Sequence, residues 1–243
     1  MNDNLQTQTV IPLSSRIVYQ DASCVVVNKL KGEVVEGAAR GMTDLQKDLR
    51  AVLPGDVELV EAVNRLDVPV TGCALFALTQ DSLSFLNSAF TEKGSLSVKK
   101  IYWAVMEKPS RPLENKGSYI ELTHWIETNT KVNKSFAYYE NAAGSKKASL
   151  RYKITGEGIN YLFALIELIT GRHHQIRAQF AAEEMYIKGD LKYGAKRSEK
   201  DGGIRLHWQS LTFPDPLNRT EFIHVTANPP VMDSLWTEFS KCV

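Results

Sequence analysis

The chain has 243 residues, of which 43% are hydrophobic and 23% charged, with a formal net charge of +1. That composition supports one substantial core and excludes wholesale disorder, and a protein held to nucleic acid by phosphate contacts alone would be more basic. Three scattered cysteines (Cys24, Cys73 and Cys242) form no C-x-x-C pair, which argues against a disulfide framework and a zinc site.

Residues 1–14 read as a polar, disordered tail without the charged and apolar regions of a secretory signal. No apolar run approaches the roughly 20 residues that span a bilayer. A soluble protein of the reducing cytoplasm is therefore expected. Short β-branched runs at Arg16–Tyr19 and Cys24–Asn28 predict two strands split by a turn at Asp21. Leu45, Leu49 and Leu53 recur at helical spacing within Met42–Leu53, where Thr43 is a candidate cap and Pro54-Gly55 a stop. Val57–Val63 predicts a strand leading into Asn64-Arg65-Leu66-Asp67, and Cys73–Leu78 a buried strand after the break at Pro69 and Gly72.

Asp81–Phe90 returns to helical period, ended by Gly94. Val98–Met106 alternates, with Ile101, Trp103 and Val105 on one face and Lys100, Tyr102 and Ala104 on the other. Ser118–Leu122, Ser149–Ile154 and Tyr161–Leu168 predict further strands, and Gly171–Glu184 a helix. Leu206–Phe213 and Thr220–Val225 predict closing strands, and Val231–Phe239 a last short helix. Asn115–Lys147 is the most polar long stretch but carries no sign of a domain boundary. Strands outnumber helices and connections are short, so the expected fold is α+β, a mixed and mainly antiparallel sheet with flanking helices. Residues 15–243 are read as one catalytic domain.

Two segments concentrate chemistry. Asp67 ends Asn64-Arg65-Leu66-Asp67 just before a Pro/Gly turn. It reads either as a carboxylate presented from a rigid strand end or as a turn residue bonded to its own backbone. Gly171-Arg172-His173-His174-Gln175-Ile176-Arg177 gathers donors at a strand-to-helix junction. It reads either as an anion-binding helix start or as a solvated first turn. A helix there places His173 and Arg177 on one face and points the two histidines apart, which with the absence of H-E-x-x-H argues against a metal. In Lys100-Ile101-Tyr102, a Tyr that stacks on a base beside a Lys that meets a phosphate competes with an ordinary amphipathic strand. The lysines at 99, 131, 134, 146, 147, 192 and 196, with Arg197, are either a basic surface or simply solvated.

Taken in order, five segments resemble the RluA-type pseudouridine synthase family, from about Arg16 to Val225. IVYQDASCVVVNKLKGEVVEG is similar to its opening strands. NRLDVPVTGCALFAL is similar to its H-R-L-D-x-x-T-S-G motif, and KKIYWAV to its K-x-Y-x-A motif. ELITGRHHQIRAQFAAEEMYIKGDLKYG resembles the T-G-R-x-H-Q-I-R … G-D-x-x-Y-G block, and RLHWQSLTFPDP the final L-H-A-x-x-L-x-F-x-H-P segment. The resemblance implies a long sheet with a central active-site cleft and isomerisation of uridine to pseudouridine in ribosomal or transfer RNA. It implies Asp67 as the catalytic residue, Arg65 holding the target nucleotide out of its helix, Tyr102 stacking on the flipped base, and Arg177 pairing with Asp67. Arg172, His174 and Gln175 would support the pocket or contact RNA. The family uses no metal and no organic cofactor, and a monomer is expected.

The chain departs from the family pattern at Asn64 (for His), Val70 (for Thr), Thr71 (for Ser), His173, Trp208 and Asp215. A non-catalytic RNA-binding or RNA-chaperone protein on the same scaffold is the main competing reading. A nucleosidase is the second; Asp190 is the nearest further carboxylate for it, but the resemblance implies that Asp190 is a structural turn residue.

Overall fold

The computed structural model describes residues 11–91, 98–113 and 117–243. Among these, eleven strands form a single sheet, some alternating between apolar and polar residues and others, such as the runs at residues 25–27 and 73–77, apolar on both faces. In chain order they are β1 (Ile17–Gln20), β2 (Cys24–Lys29), β3 (Glu61–Ala62), β4 (Thr71–Ala77), β5 (Lys99–Glu107), β6 (Ile120–Asn129), β7 (Lys134–Tyr138), β8 (Lys146–Glu157), β9 (Tyr161–Leu168), β10 (Leu206–Pro214) and β11 (Phe222–Thr226). The strands lie in the order β1-β2-β4-β10-β5-β9-β8-β6-β7, with β3 beside β4 and β11 beside β10. Only the β4–β10 pairing is parallel among the described strands. The mixed, mainly antiparallel sheet read from the sequence is the one observed.

Among the described residues four α-helices flank the sheet: α1 (Leu45–Val52), α2 (Gln80–Thr91), α3 (Gln175–Ala182) and α4 (Ser234–Ser240). Side chains on a strand alternate between faces, so the sheet carries separate cores. Cys73, Leu75, Tyr102, Ala104, Ala164 and Ile166 face one side, which Leu86 of α2 and Phe180 of α3 cover. Ala74 and Phe76 face the other side and meet Leu45 and Leu49 of α1. Trp103, Val105 and Phe163 meet Trp236 and Phe239 of α4. The two faces predicted for the β5 segment are thus covered by different helices.

Several boundaries differ from the sequence reading. The cap of α1 is Asp44, not Thr43: its Oδ1 accepts from the Lys47 amide at 3.0 Å. The strand expected over Val57–Val63 shrinks to Glu61–Ala62, because Leu59 reaches β4 only through a single bond to Leu78 O. In the polar stretch, β6 runs to Asn129 and turns back as β7. Buried Leu122, His124 and Ile126 alternate there with the less buried Thr123, Trp125 and Glu127, and Asn133 takes a left-handed φ of 48° in the turn. The Gly94 stop and most of the tail, residues 1–10, lie outside the described residues, while Leu13–Arg16 forms a 3-10 turn.

The helix expected from Gly171 begins only at Gln175. His174 adopts φ 51°, ψ 24°, a left-handed conformation that interrupts any helix through it. The Gln175 side-chain carbonyl sets the turn by accepting from the Arg172 amide at 3.0 Å and the Thr170 hydroxyl at 2.8 Å. His173 therefore does not share a face with Arg177. The two histidine rings do not point apart either; they stack, with centroids 3.8 Å apart.

Candidate active site

A cavity of about 530 Å³ opens over β5, β9 and β10 beside the segment that enters β4, on the face that carries α2 and α3. Its size falls within the usual range of ligand pockets, roughly 300–1,000 Å³. Asp67, Tyr102, Arg177, Lys100 and Trp208 line it, as do Arg65, Arg172, His174 and Gln175.

Asp67 sits on the turn that enters β4, and the turn is fixed from below. Lys29, at the end of β2, is completely buried. Its ammonium donates to Val70 O at 2.8 Å, Leu30 O at 2.9 Å and Val68 O at 3.1 Å, with a longer contact to Asp67 O at 3.3 Å. Burial pulls the Lys29 pKa down to about 8, opposed by Glu33 and Asp67. Asn64 ties the same segment to β4: its Nδ2 donates to Cys73 O at 3.2 Å and its Oδ1 accepts from the Leu75 amide at 2.7 Å. Gly72 allows β10 to approach, since with φ +117° a Cβ there would lie 2.3 Å from Trp208 O.

The Asp67 side chain is 24% exposed and opens into the cavity. Its Oδ2 accepts from Arg177 Nη1 at 2.9 Å. Arg177, 5% exposed, binds the deeply buried Asp190 with its other nitrogens, Nε to Oδ2 at 2.7 Å and Nη2 to Oδ1 at 2.8 Å. Burial opposes the Arg177 charge, but Asp190 and Asp67 outweigh it and raise its pKa above the ordinary arginine value.

His174 Nε2 stands 3.5 Å from the same Asp67 oxygen. Burial, reinforced by the Arg177 charge, lowers the His174 pKa to about 4 despite Asp67, so the ring is neutral near pH 7. Its tautomer follows from its neighbours. Tyr193 Oη accepts from the Ser135 amide at 2.9 Å and lies 2.9 Å from His174 Nδ1. With the Asp67 carboxylate beside Nε2, the imidazole proton is assigned to Nε2, and Nδ1 then accepts from the tyrosine hydroxyl.

Tyr102 comes from β5, across β10 from Asp67, and its ring stacks on Trp208 with centroids 5.0 Å apart and planes at 27°. Burial and the Asp67 charge hold its phenol pKa well above 10, so it stays protonated. Arg65 is 77% exposed and approaches Glu36 at 3.9 Å. Arg172 is exposed and donates from Nε to Lys147 O at 3.2 Å. Both ends of the Gln175 amide are used internally, with Nε2 donating to Ser149 O and to Gln179 Oε1. His173 turns to Ser135 Oγ, 2.9 Å from its Nδ1.

Sequence reasoning passed over Lys29, Tyr193, the structural part of Asn64 and the pairing of Asp190 with Arg177. A lysine ending the apolar run Val25-Val26-Val27-Asn28 was a usable signal for Lys29. The others depend on contacts between distant segments.

The sequence profile described as RNA pseudouridylate synthase matches residues 23–182. The chain belongs to that family. An uncharacterized RNA pseudouridine synthase of Zymomonas mobilis is 28% identical over 90% of this chain and 94% of its own length. Ribosomal large subunit pseudouridine synthase C of Vibrio parahaemolyticus is 26% identical over 90% of this chain and 67% of its own length. The tRNA pseudouridine synthase C of the same organism is 26% identical over 94% and 96%. The structure of human RNA pseudouridylate synthase domain containing 4 superimposes with a TM-score of 0.71, at 20% identity and 94% coverage of this chain, and shares its fold. The protein is thus an RNA pseudouridine synthase of the RluA type, an isomerase that acts on RNA. No described helix is long and apolar enough to cross a membrane.

Proposed function

We propose that Asp67 is the catalytic carboxylate and that the protein isomerises specific uridines in ribosomal or transfer RNA after flipping the target nucleotide into the cavity. The observation that carries this reading is a carboxylate held at 2.9 Å by Arg177 at the wall of a cavity that Tyr102 also lines. Relatives of both the ribosomal and the transfer RNA kind support the substrate class.

The chemistry matches the groups present. The bond between ribose C1′ and uracil N1 breaks, the base turns, and C1′ joins C5. C5 gives up its proton and N1 gains one, so neither a redox equivalent nor a group donor is consumed. An ionised carboxylate serves this sequence as nucleophile or base. Arg177 aims Asp67, and the neutral His174 adds an N–H beside the same oxygen. Removing the base from its stack costs a few kcal/mol. Tyr102 offsets part of this by stacking, and the exposed Arg65 by filling the space the base leaves. Arg172 contacts RNA at the cavity rim, and Gln175 supports the turn from within. The enzyme is read as a monomer working in the cytoplasm.

The test is a transcriptome-wide pseudouridine map of cells with the gene intact, deleted, or replaced by Asp67→Asn. Loss of the same site or sites in both altered strains is expected. Sites retained under Asp67→Asn would remove this residue from the mechanism and favour an RNA-binding role.

A further inference from the structure

Two lysines are buried beside the cavity, and they differ in one respect. Lys29 is surrounded by carbonyl oxygens, whereas Lys100 has no hydrogen bond or ion pair with any described residue. Lys100 is 9% exposed, lines the cavity and shares the inward face of β5 with Tyr102. Its neighbour Lys99 is exposed, as an ordinary lysine at a strand start would be.

A buried ammonium without a partner costs free energy that the fold does not return. Burial alone lowers the Lys100 pKa, with no acid acting against it. Asp67 is the one carboxylate among the described residues that line the cavity, and Arg177 occupies it. Among the described residues no acid is left to pair with Lys100, so the anion that completes it arrives with the ligand. In a uridine held in RNA the base and the ribose are neutral, and only the phosphodiesters carry charge.

We infer that Lys100 binds a backbone phosphate next to the target uridine and so positions the nucleotide along the cavity. This rests on the catalytic reading of the site and adds a residue to it. Lys100 contributes through charge and binding, whereas Asp67 contributes to the chemical step.

The experiment compares the full-length wild type with Lys100→Met and Lys100→Arg. The substrate is an RNA fragment around the uridine found by the pseudouridine map, assayed across a salt series. Lys100→Met should raise KM by about ten- to hundredfold and leave kcat little changed. It should also reduce the slope of log affinity against log salt by about one. Lys100→Arg should restore the slope. Because Lys100→Met breaks no bond within the protein, its melting temperature should not fall. A raised KM with an unchanged salt slope would overturn the phosphate assignment in favour of a contact to the neutral base. Unchanged KM and slope would overturn the inference outright. No product from the wild type would instead sink the catalytic reading, and this one with it.

Discussion

Arg177 grips Asp190 with two nitrogens and gives Asp67 only the third. Asp190 is 2% exposed and Asp67 24%, so the pair that anchors the arginine is the buried one. Arg177→Ala should therefore destabilise the protein by about 3–5 kcal/mol, chiefly by stranding Asp190. Adding Asp190→Asn should recover part of that loss. Asp67→Asn leaves the fork intact and should keep stability and RNA binding while reducing turnover by at least ~10³-fold. Thermal melts of the three variants and a single-turnover assay check this. An unchanged melt for Arg177→Ala would mean that the fork adds nothing to stability.

Tyr102 stacks on Trp208, and no described residue hydrogen-bonds its hydroxyl. Tyr102→Phe keeps the ring and should cost at most about tenfold in kcat/KM. Tyr102→Ala removes a stacking surface worth roughly 1–3 kcal/mol and opens a void beside Trp208, so its loss should be larger. Equal losses would assign the work to the hydroxyl.

Asn64 binds both Cys73 O and the Leu75 amide from the segment that carries Asp67. Asn64→Ala should cost about 1–3 kcal/mol by leaving buried groups unpaired, and should lower kcat as the Asp67 turn loosens. Urea midpoints with parallel kinetics measure both. A stability loss with normal kcat would show that Lys29 alone holds the turn.

His207 and His174 make the protein sensitive to acid. His207 is completely buried: Nε2 donates to Ala227 O at 2.8 Å, and Nδ1 lies 2.7 Å from the Thr71 hydroxyl. Burial lowers its pKa to about 4, as it does for His174. Unfolded histidine takes up its proton near pH 6.5. Between those values the unfolded chain binds more protons, so stability is complete above about pH 6.5 and falls as the pH drops towards 4. Each ring contributes on the order of 3 kcal/mol across that window. His207→Gln should flatten the pH dependence of the urea midpoint between pH 6.5 and 4. A curve parallel to the wild type would mean that His207 titrates alike in both states.

Most of the order of strands and helices was legible because it is written locally, but β7, inside the polar stretch, was not read as a strand. Alternation along Lys100–Met106 and the four-residue spacing of Leu45, Leu49 and Leu53 need no distant partner to be read. The candidate site was half legible. Asp67, Tyr102 and Arg177 stood out through motif resemblance, and they do line one cavity. Their support did not stand out, and neither did the left-handed turn at His174, which depends on a side-chain bond from Gln175.

By itself the sequence determined the family, the sheet-based fold class and the residues able to do chemistry, since periodicity and residue type survive in one dimension. Tertiary structure alone decided which of those residues have partners. It gave Lys29 its carbonyls, bound Arg177 to Asp190 before Asp67, and left Lys100 with no partner among the described residues. The physical reason is that desolvation and hydrogen bonding are set by whatever surrounds a group in space, and those surroundings come from segments far apart in the chain.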